Sequence, residues 1–532
     1  MIKDAVLVAS GDLRETANRL GWPAQETLER HVVSAFSRHG VSVRRAHPVD
    51  AARGHGFISG QRMGMDVFAS IDRDAPLIVA EAVWQYSHHV LPGLRRHRGP
   101  ILTVANWDGT WPGLVGMLNI NASLTKMGRA YSTIWGEDLT EPFADAAIGR
   151  WIEEGSVEHD TSHVRDLDAA ALPVDTAATG RRLAAELADR MAILGVFDEG
   201  CMGMYNAIFD DEHLNPSGIH KERLSQSALV AEMRLVTEAE ARAAYRWLLD
   251  RGMSFRFGQD GATELTEEQV LDQLRLYAAA VRIADRFGCD AIGIQYQQGL
   301  KDMAPASDLA EGLLNDADRP PVRSLDDGRV LYEGRPLPHF NEVDEGSAVD
   351  ALVTNRVWTA LGLDPATTLH DVRWGAPYGG DYVWVFEISG AVPPAHLVGG
   401  YGGAVSERQP PVYFGLGGGT IKGVSKPGEI VWSRVFLMGG RLHVDLGRGT
   451  VVDLPQAETE RRWKATTPQW PIMHAVLHGV TRDQMMARHR ANHIQVAYGT
   501  DAASADRALA TKAAMFDAMG IEVHLCGEVR VG

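Results

Sequence analysis

The stretch GIQYQQGLKDMAPASDLAEGLLND, Gly293 to Asp316, decides how the chain is read. It follows CDAIGIQ (289–295), a short apolar run of the kind that forms a buried strand. Three glutamines, Gln295, Gln297 and Gln298, then precede a short apolar helix that carries Glu311. Either the loop is merely polar and Glu311 faces water, or Glu311 points into a site.

Working outward, the N-terminal third alternates apolar runs with amphipathic segments. AVLVAS (5–10), PLIVAEAV (76–83) and PILTVAN (100–106) read as buried parallel strands, and ETLERHVVSAFSRHG (26–40) as a helix with a glycine stop. The alanine-rich stretch 160–188 reads as a connecting helix. The pattern restarts at MAILGVFD (191–198), and a long amphipathic helix (267–288) leads into CDAIGIQ. After about residue 350 glycine and proline punctuate short Val-, Tyr- and Trp-rich runs, as in antiparallel β-structure. Helices return at 481–490 and 503–520. The expected architecture is α/β: two Rossmann-like α/β domains, 1–165 and 166–348, followed by a β-rich C-terminal domain, 349–532.

A chain of 532 residues is too long for one core. Its net charge of −17 disfavours a nucleic-acid or anionic-membrane surface, which needs clustered positive charge. Three scattered cysteines, Cys201, Cys289 and Cys526, form no zinc motif or disulfide framework, and point to a reducing, cytoplasmic setting. No apolar run approaches a membrane span, and MIKDAVLVASGDLRE is not a signal peptide. The sequon at Asn121 carries no meaning in such a compartment.

Two motifs tempt and fail. FGLGGGTIKG (414–423) lacks the third glycine of a dinucleotide loop and the Gly-Lys-Ser/Thr of a phosphate loop, so it reads as a structural glycine turn flanking a site. His88 and His89 are adjacent and point apart, so they make no joint metal site.

What survives is a set of acids and one histidine at element ends: Glu311, then Glu342 and Asp344 in HFNEVDEGSAVDAL, then His493 in RHRANHIQVAYG. Two carboxylates and an imidazole hold a divalent metal and leave positions open for substrate. An oxygen-rich set with one histidine suits Mn²⁺, and Mg²⁺ less well.

These segments resemble the L-fucose isomerase family. Where that family has GFQGQR, an acidic loop and D-x-A-E-A-L-L-N, this chain has GIQYQQ, KDMAPAS and DLAEGLLN. Family T-E-N-D corresponds to Asn341-Glu342-Val343-Asp344, and G-A-N-H-G to Arg490-Ala491-Asn492-His493-Ile494. A Trp-Pro pair recurs as Trp470-Pro471, with fainter echoes in GCMGMYN, SFRFGQD and WSRV. The likeness spans roughly 190 to 532, with only GDLRE (11–15) before it.

The resemblance implies metal ligands Glu311, Asp344 and His493, with Mn²⁺ as the ion and Mg²⁺ or Co²⁺ as substitutes. Glu311 and Asp344 become the acid/base pair of an aldose–ketose isomerase working through an enediol. Gln295 and Asn492 bind sugar hydroxyls, and Trp84 and Trp470 wall the pocket. If Asp344 is only a helix cap, Glu342 is the next candidate. The family also implies a homohexamer in which the N-terminal domain reaches a neighbour's site.

Departures flank the site. Gln298 replaces the family arginine, residues 322–340 read as an insertion, and Ile494 replaces a glycine. They keep open a lyase, epimerase or decarboxylase acting on a sugar acid, with Lys301 or Arg434 binding its carboxylate. A non-catalytic sugar-binding protein is a third reading, and it predicts a lost ligand.

Overall fold

The computed structural model describes residues 1–531, apart from the side chain of Cys201. The N-terminal sheet has five parallel strands in the order Ser42–Arg45, Asp4–Val8, Leu77–Glu81, Ile101–Asn106, Ser132–Gly136. The strands Leu77–Glu81 and Ile101–Asn106 are mostly apolar and buried on both faces up to Asn106, as in a parallel sheet covered on both sides. The order reverses between Asp4–Val8 and Leu77–Glu81, and the cleft at such a reversal is where open α/β sheets bind ligands.

The segment read as a helix over 26–40 is the C-terminal part of a longer one, Glu15–Arg38, which continues through Pro23. Asn121 is buried on the helix Gly113–Lys126, where its side chain meets Thr103 and Thr133.

A second, three-stranded parallel sheet joins Ala291–Ile294, Ala192–Phe197 and Ile219–Leu224. The helix Glu267–Arg286 starts at a capping box built by Thr266 and Gln269, and packs its apolar face into this unit's core. The stretch read as an insertion is joined to this sheet at its end, where His339 bridges Ile292.

The C-terminal region is β-rich, as its composition predicts. Eight strands form one sheet, and the pairing of Gly428–Met438 with Arg441–Val451 closes six of them into a barrel. Closure removes the unpaired edges an open sheet would expose. Glu522–Cys526 then adds parallel to Arg441–Val451, and Val164–Asp166 adds beyond it. The stretch 160–188 is therefore a short strand followed by the helix Val174–Arg190, where a single helix was expected.

The chain is thus an α/β protein with two Rossmann-like parallel sheets and a β-rich C-terminal part. Among the described residues no helix is long and apolar enough to cross a membrane, and Cys289 and Cys526 are free thiols.

Candidate active site

Three loops at the carboxyl ends of the N-terminal strands meet the other two units over one pocket. Arg14 follows Asp4–Val8, Trp84 follows Leu77–Glu81, and Pro112 follows Ile101–Asn106. From the second sheet come Met202 and Gln297, again beyond strand carboxyl ends. The barrel side adds Asp371, Ser389, Tyr413, Phe414 and Trp470. Glu342 lines this space, and so do Asp308 and Glu311 at its inner end. The cavity is narrow, with about 40 Å³ of open volume.

Glu311 is turned inward. Every residue of its helix, Asp308–Leu314, is buried. Its carboxylate accepts hydrogen bonds from Ser307 and Asn341, and His339 Nδ1 lies 3.6 Å away. Burial pushes its pKa well up, and the charges of Asp308 and Glu342 add to the rise. Burial also lifts Asp308 to about 7, against a 2.6 Å hydrogen bond from Ser389.

Glu342 and Asp344 are two residues apart and face different surroundings. Glu342 and Val343 both have φ near +60°, a left-handed conformation disfavoured for Glu and more so for a β-branched residue. Such strain costs about 1–3 kcal/mol per residue and gathers at functional sites. Here the turn carries Glu342 onto the pocket wall. Burial lifts Glu342 to about 8, with Asp371 and Asp308 raising it further and His493 opposing.

Asp344 instead caps the helix Glu345–Leu361, accepting from Ser347 N at 3.0 Å. Its other oxygen accepts from Arg434 at 2.6 Å and from His493 Nδ1 at 2.9 Å. Burial alone would raise its pKa, but Arg434 and His493 override it and hold Asp344 well below the usual carboxylate range.

His493 opens the barrel strand His493–Tyr498, directly across from Asp371 on Thr368–Tyr378. Its Nδ1 is fixed by Asp344, so Nε2 points the other way, 3.3 Å from Asp371 and 3.6 Å from Glu342. Burial opposes charge on this ring, yet the bond to Asp344 and the nearby Asp371 carboxylate lift it to about 10. A metal-free pocket therefore keeps a proton on His493.

Of the other expected residues, Trp84 and Trp470 line the pocket. Trp470 is held by its Nε1–H bond to Gln409 at 2.8 Å. Gln295 is buried behind the wall, where its Oε1 accepts from Gln297 N, and Gln297 lines the cavity instead. Gln295 Nε2 has no protein partner. Asn492 is fully buried with both side-chain polar atoms unpartnered.

The cations named for a substrate carboxylate are committed elsewhere. Lys301 pairs with its exposed neighbour Asp302, and Arg434 is buried on Asp344. The glycine turn packs where expected: Gly417 O accepts from Ala306 N, just before the Glu311 helix, and Phe414 faces the pocket.

Arg14 and Asp371 are the residues that motif spacing missed. Arg14 forms a two-point pair with Asp12, donates to Gln297 at 2.8 Å and lies over Tyr413. Its only signal was the local match GDLRE. Asp371 sits inside a strand pattern and carried none. Within the single chain, Arg14, Trp84 and Pro112 of the N-terminal unit line this pocket.

The donor chemistry suits a divalent cation, although among the described residues no three of its ligand atoms lie within 4.8 Å of one another, so the groups would have to close in on an ion. Asp308, Glu311, Glu342 and Asp371 approach one space, His493 Nε2 lacks a full hydrogen bond, and the charge of Arg14 is already matched by Asp12.

No match was found among curated proteins. Residues 408–523 match the family model described as L-fucose isomerase, C-terminal domain. This match covers Tyr413, Trp470 and His493 and lies within the β-rich C-terminal part of the chain.

Proposed function

We propose that the protein is a metal-dependent aldose–ketose isomerase acting on a free monosaccharide of the L-fucose or D-arabinose kind. The observation that supports this reading is that Glu342 and Glu311 line adjoining parts of one space, with His493 Nε2 3.6 Å from Glu342 and with Trp84 and Trp470 on the outer wall. Glu311, Glu342 and His493 would hold the ion, Mn²⁺ by donor type with Mg²⁺ or Co²⁺ as substitutes. When bound, the ion supplies Lewis acidity toward two adjacent sugar oxygens.

The chain's own groups do the rest. A carboxyl raised toward neutral pH can take a proton from one sugar carbon and return it to the next, so we assign the transfer to Glu311 and Glu342. Asp344, first expected as ligand and base, acts in this reading by fixing the tautomer and direction of His493. Asn492 and Gln297 offer donors and acceptors to hydroxyls, and the two tryptophans cover the C–H face.

The pocket's open volume of about 40 Å³ is too small for a monosaccharide, so in this reading the loops bearing Arg14, Trp84 and Pro112 draw back to admit a sugar. A homo-oligomer, hexameric by resemblance, and a cytoplasmic setting belong to the same reading.

The test is ketose formation from L-fucose, D-arabinose and L-galactose, with and without Mn²⁺. Turnover that requires the ion and falls about 10²–10⁴-fold in Glu311→Gln is expected. No turnover on any aldose, with the ion still tightly bound, would replace isomerisation by sugar-acid chemistry on the same site.

A further inference from the structure

A second group of donors lies on the outer strands of the C-terminal sheet, and none of its residues lines the pocket. His443 on Arg441–Val451 is directly paired with Glu522 on Glu522–Cys526. His524 is two residues along from Glu522 and so projects from the same face. His443 Nδ1 is 3.1 Å from His524 Nε2 and 3.2 Å from Glu522 Oε2. One atom from each residue lies within 4.8 Å of the other two.

The outer ring nitrogens set the tautomers. His524 Nδ1 donates to Asp166 Oδ1 at 2.7 Å, because a carboxylate can only accept. His443 Nε2 donates to Met438 O at 3.2 Å for the same reason. In neutral rings the two inner nitrogens then carry lone pairs aimed at each other, with a carboxylate oxygen beside them. Three acceptors at contact distance repel unless a cation lies between them.

A proton is one such cation. A divalent metal ion is another, and it can be shared by all three groups at once. Arg441 takes the other oxygen of Glu522, and Arg488 is paired with Asp445. Glu522 Oε2 is therefore left facing the two rings.

We propose that His443 Nδ1, His524 Nε2 and Glu522 Oε2 form a second metal site, for a borderline-soft divalent ion of the zinc class. Zinc–nitrogen bonds of about 2.0–2.1 Å at a tetrahedral angle put two nitrogens about 3.3 Å apart, close to the 3.1 Å here. Asp166 on His524 is the carboxylate–histidine support that metal-bound imidazoles use. His524 and Glu522 are part-exposed, so an ion can enter and a fourth, water position stays open. Because Asp166 belongs to Val164–Asp166, the ion would bolt the strand that follows the N-terminal unit to the C-terminal sheet.

The test uses metal-stripped full-length protein titrated with Zn²⁺ by calorimetry. Glu311→Gln removes a pocket donor and keeps this site apart from the catalytic reading. In that background one equivalent of Zn²⁺ is expected to bind, and to be lost on adding His524→Gln or His443→Gln. Asp166→Asn, at an exposed residue, should weaken the ion about 10–100-fold at unchanged stoichiometry. Cu²⁺ in the same protein should give an electron spin resonance spectrum split by two nitrogens. Zinc stoichiometry unchanged by either histidine variant overturns the site. So does an absence of Zn²⁺ binding in the Glu311→Gln protein with the two rings sharing a proton by NMR.

Discussion

Two buried acidic networks lie near the helix Glu345–Leu361, and they are completed in opposite ways. Asp350, on the helix, accepts from Lys512 and from Ser433, and Lys512 in turn reaches Thr354 and Ser433. Both charges are buried, and the chain supplies its own cation. Just before the helix, Asp308, Glu311, Glu342 and Asp371 line adjoining space with no lysine among them, Arg14 is already matched, and the one imidazole, His493, is shared among Asp344, Asp371 and Glu342. The contrast teaches where to look for a bound ion. A buried carboxylate closed by an internal partner is architecture, and a buried carboxylate left raised in pKa is waiting for an external one.

Breaking the closed network should have the largest effect on stability. Lys512→Met strands Asp350 and should cost about 3–5 kcal/mol in urea unfolding. A loss below 1 kcal/mol would remove the distinction drawn here.

Glu387 is the intermediate case, fully buried with Arg373 at 3.8 Å and a 2.7 Å bond from Thr466. Burial lifts it to about 7, against Arg373. A folded-state pKa above the unfolded one gives stability that is complete at low pH and is lost as pH rises toward 7. Relative to Glu387→Gln, the native protein should lose about 1–3 kcal/mol between pH 4.5 and 7.5, seen in urea midpoints. A difference independent of pH would mean that Arg373 fully neutralises it.

The third prediction sharpens the pocket itself. Asp344→Asn should weaken Mn²⁺ binding about 10–100-fold by freeing His493, whereas Glu342→Gln should abolish it. The reverse order would make Asp344 the ligand and Glu342 its neighbour. Smallest of all, Glu311→Gln should raise the melting temperature of the metal-free protein by about 1–2 °C, since at neutral pH the folded chain must keep Glu311 protonated, a cost that Gln does not carry.

The parallel strands and the β-rich end were legible because apolar runs and glycine spacing report burial directly. The strand Val164–Asp166 was not, since its three residues are largely exposed and its partner is at Cys526, at the far end of the chain. Glu311, His493 and the tryptophans were legible from motif order. The choice between Glu342 and Asp344 was not, because it rests on two left-handed residues whose identities do not announce that conformation. Asp371 owes its place to a cross-strand pairing with His493, which no local pattern encodes.

The pocket's walls also set a timetable for synthesis. Arg14 emerges from the ribosome early, its Tyr413 platform some four hundred residues later, and His493 near the end. A partly made chain can fold its N-terminal sheet, but it has no imidazole to complete the donor set. Activity would switch on only when the last barrel strands close, so a truncated product would be inert.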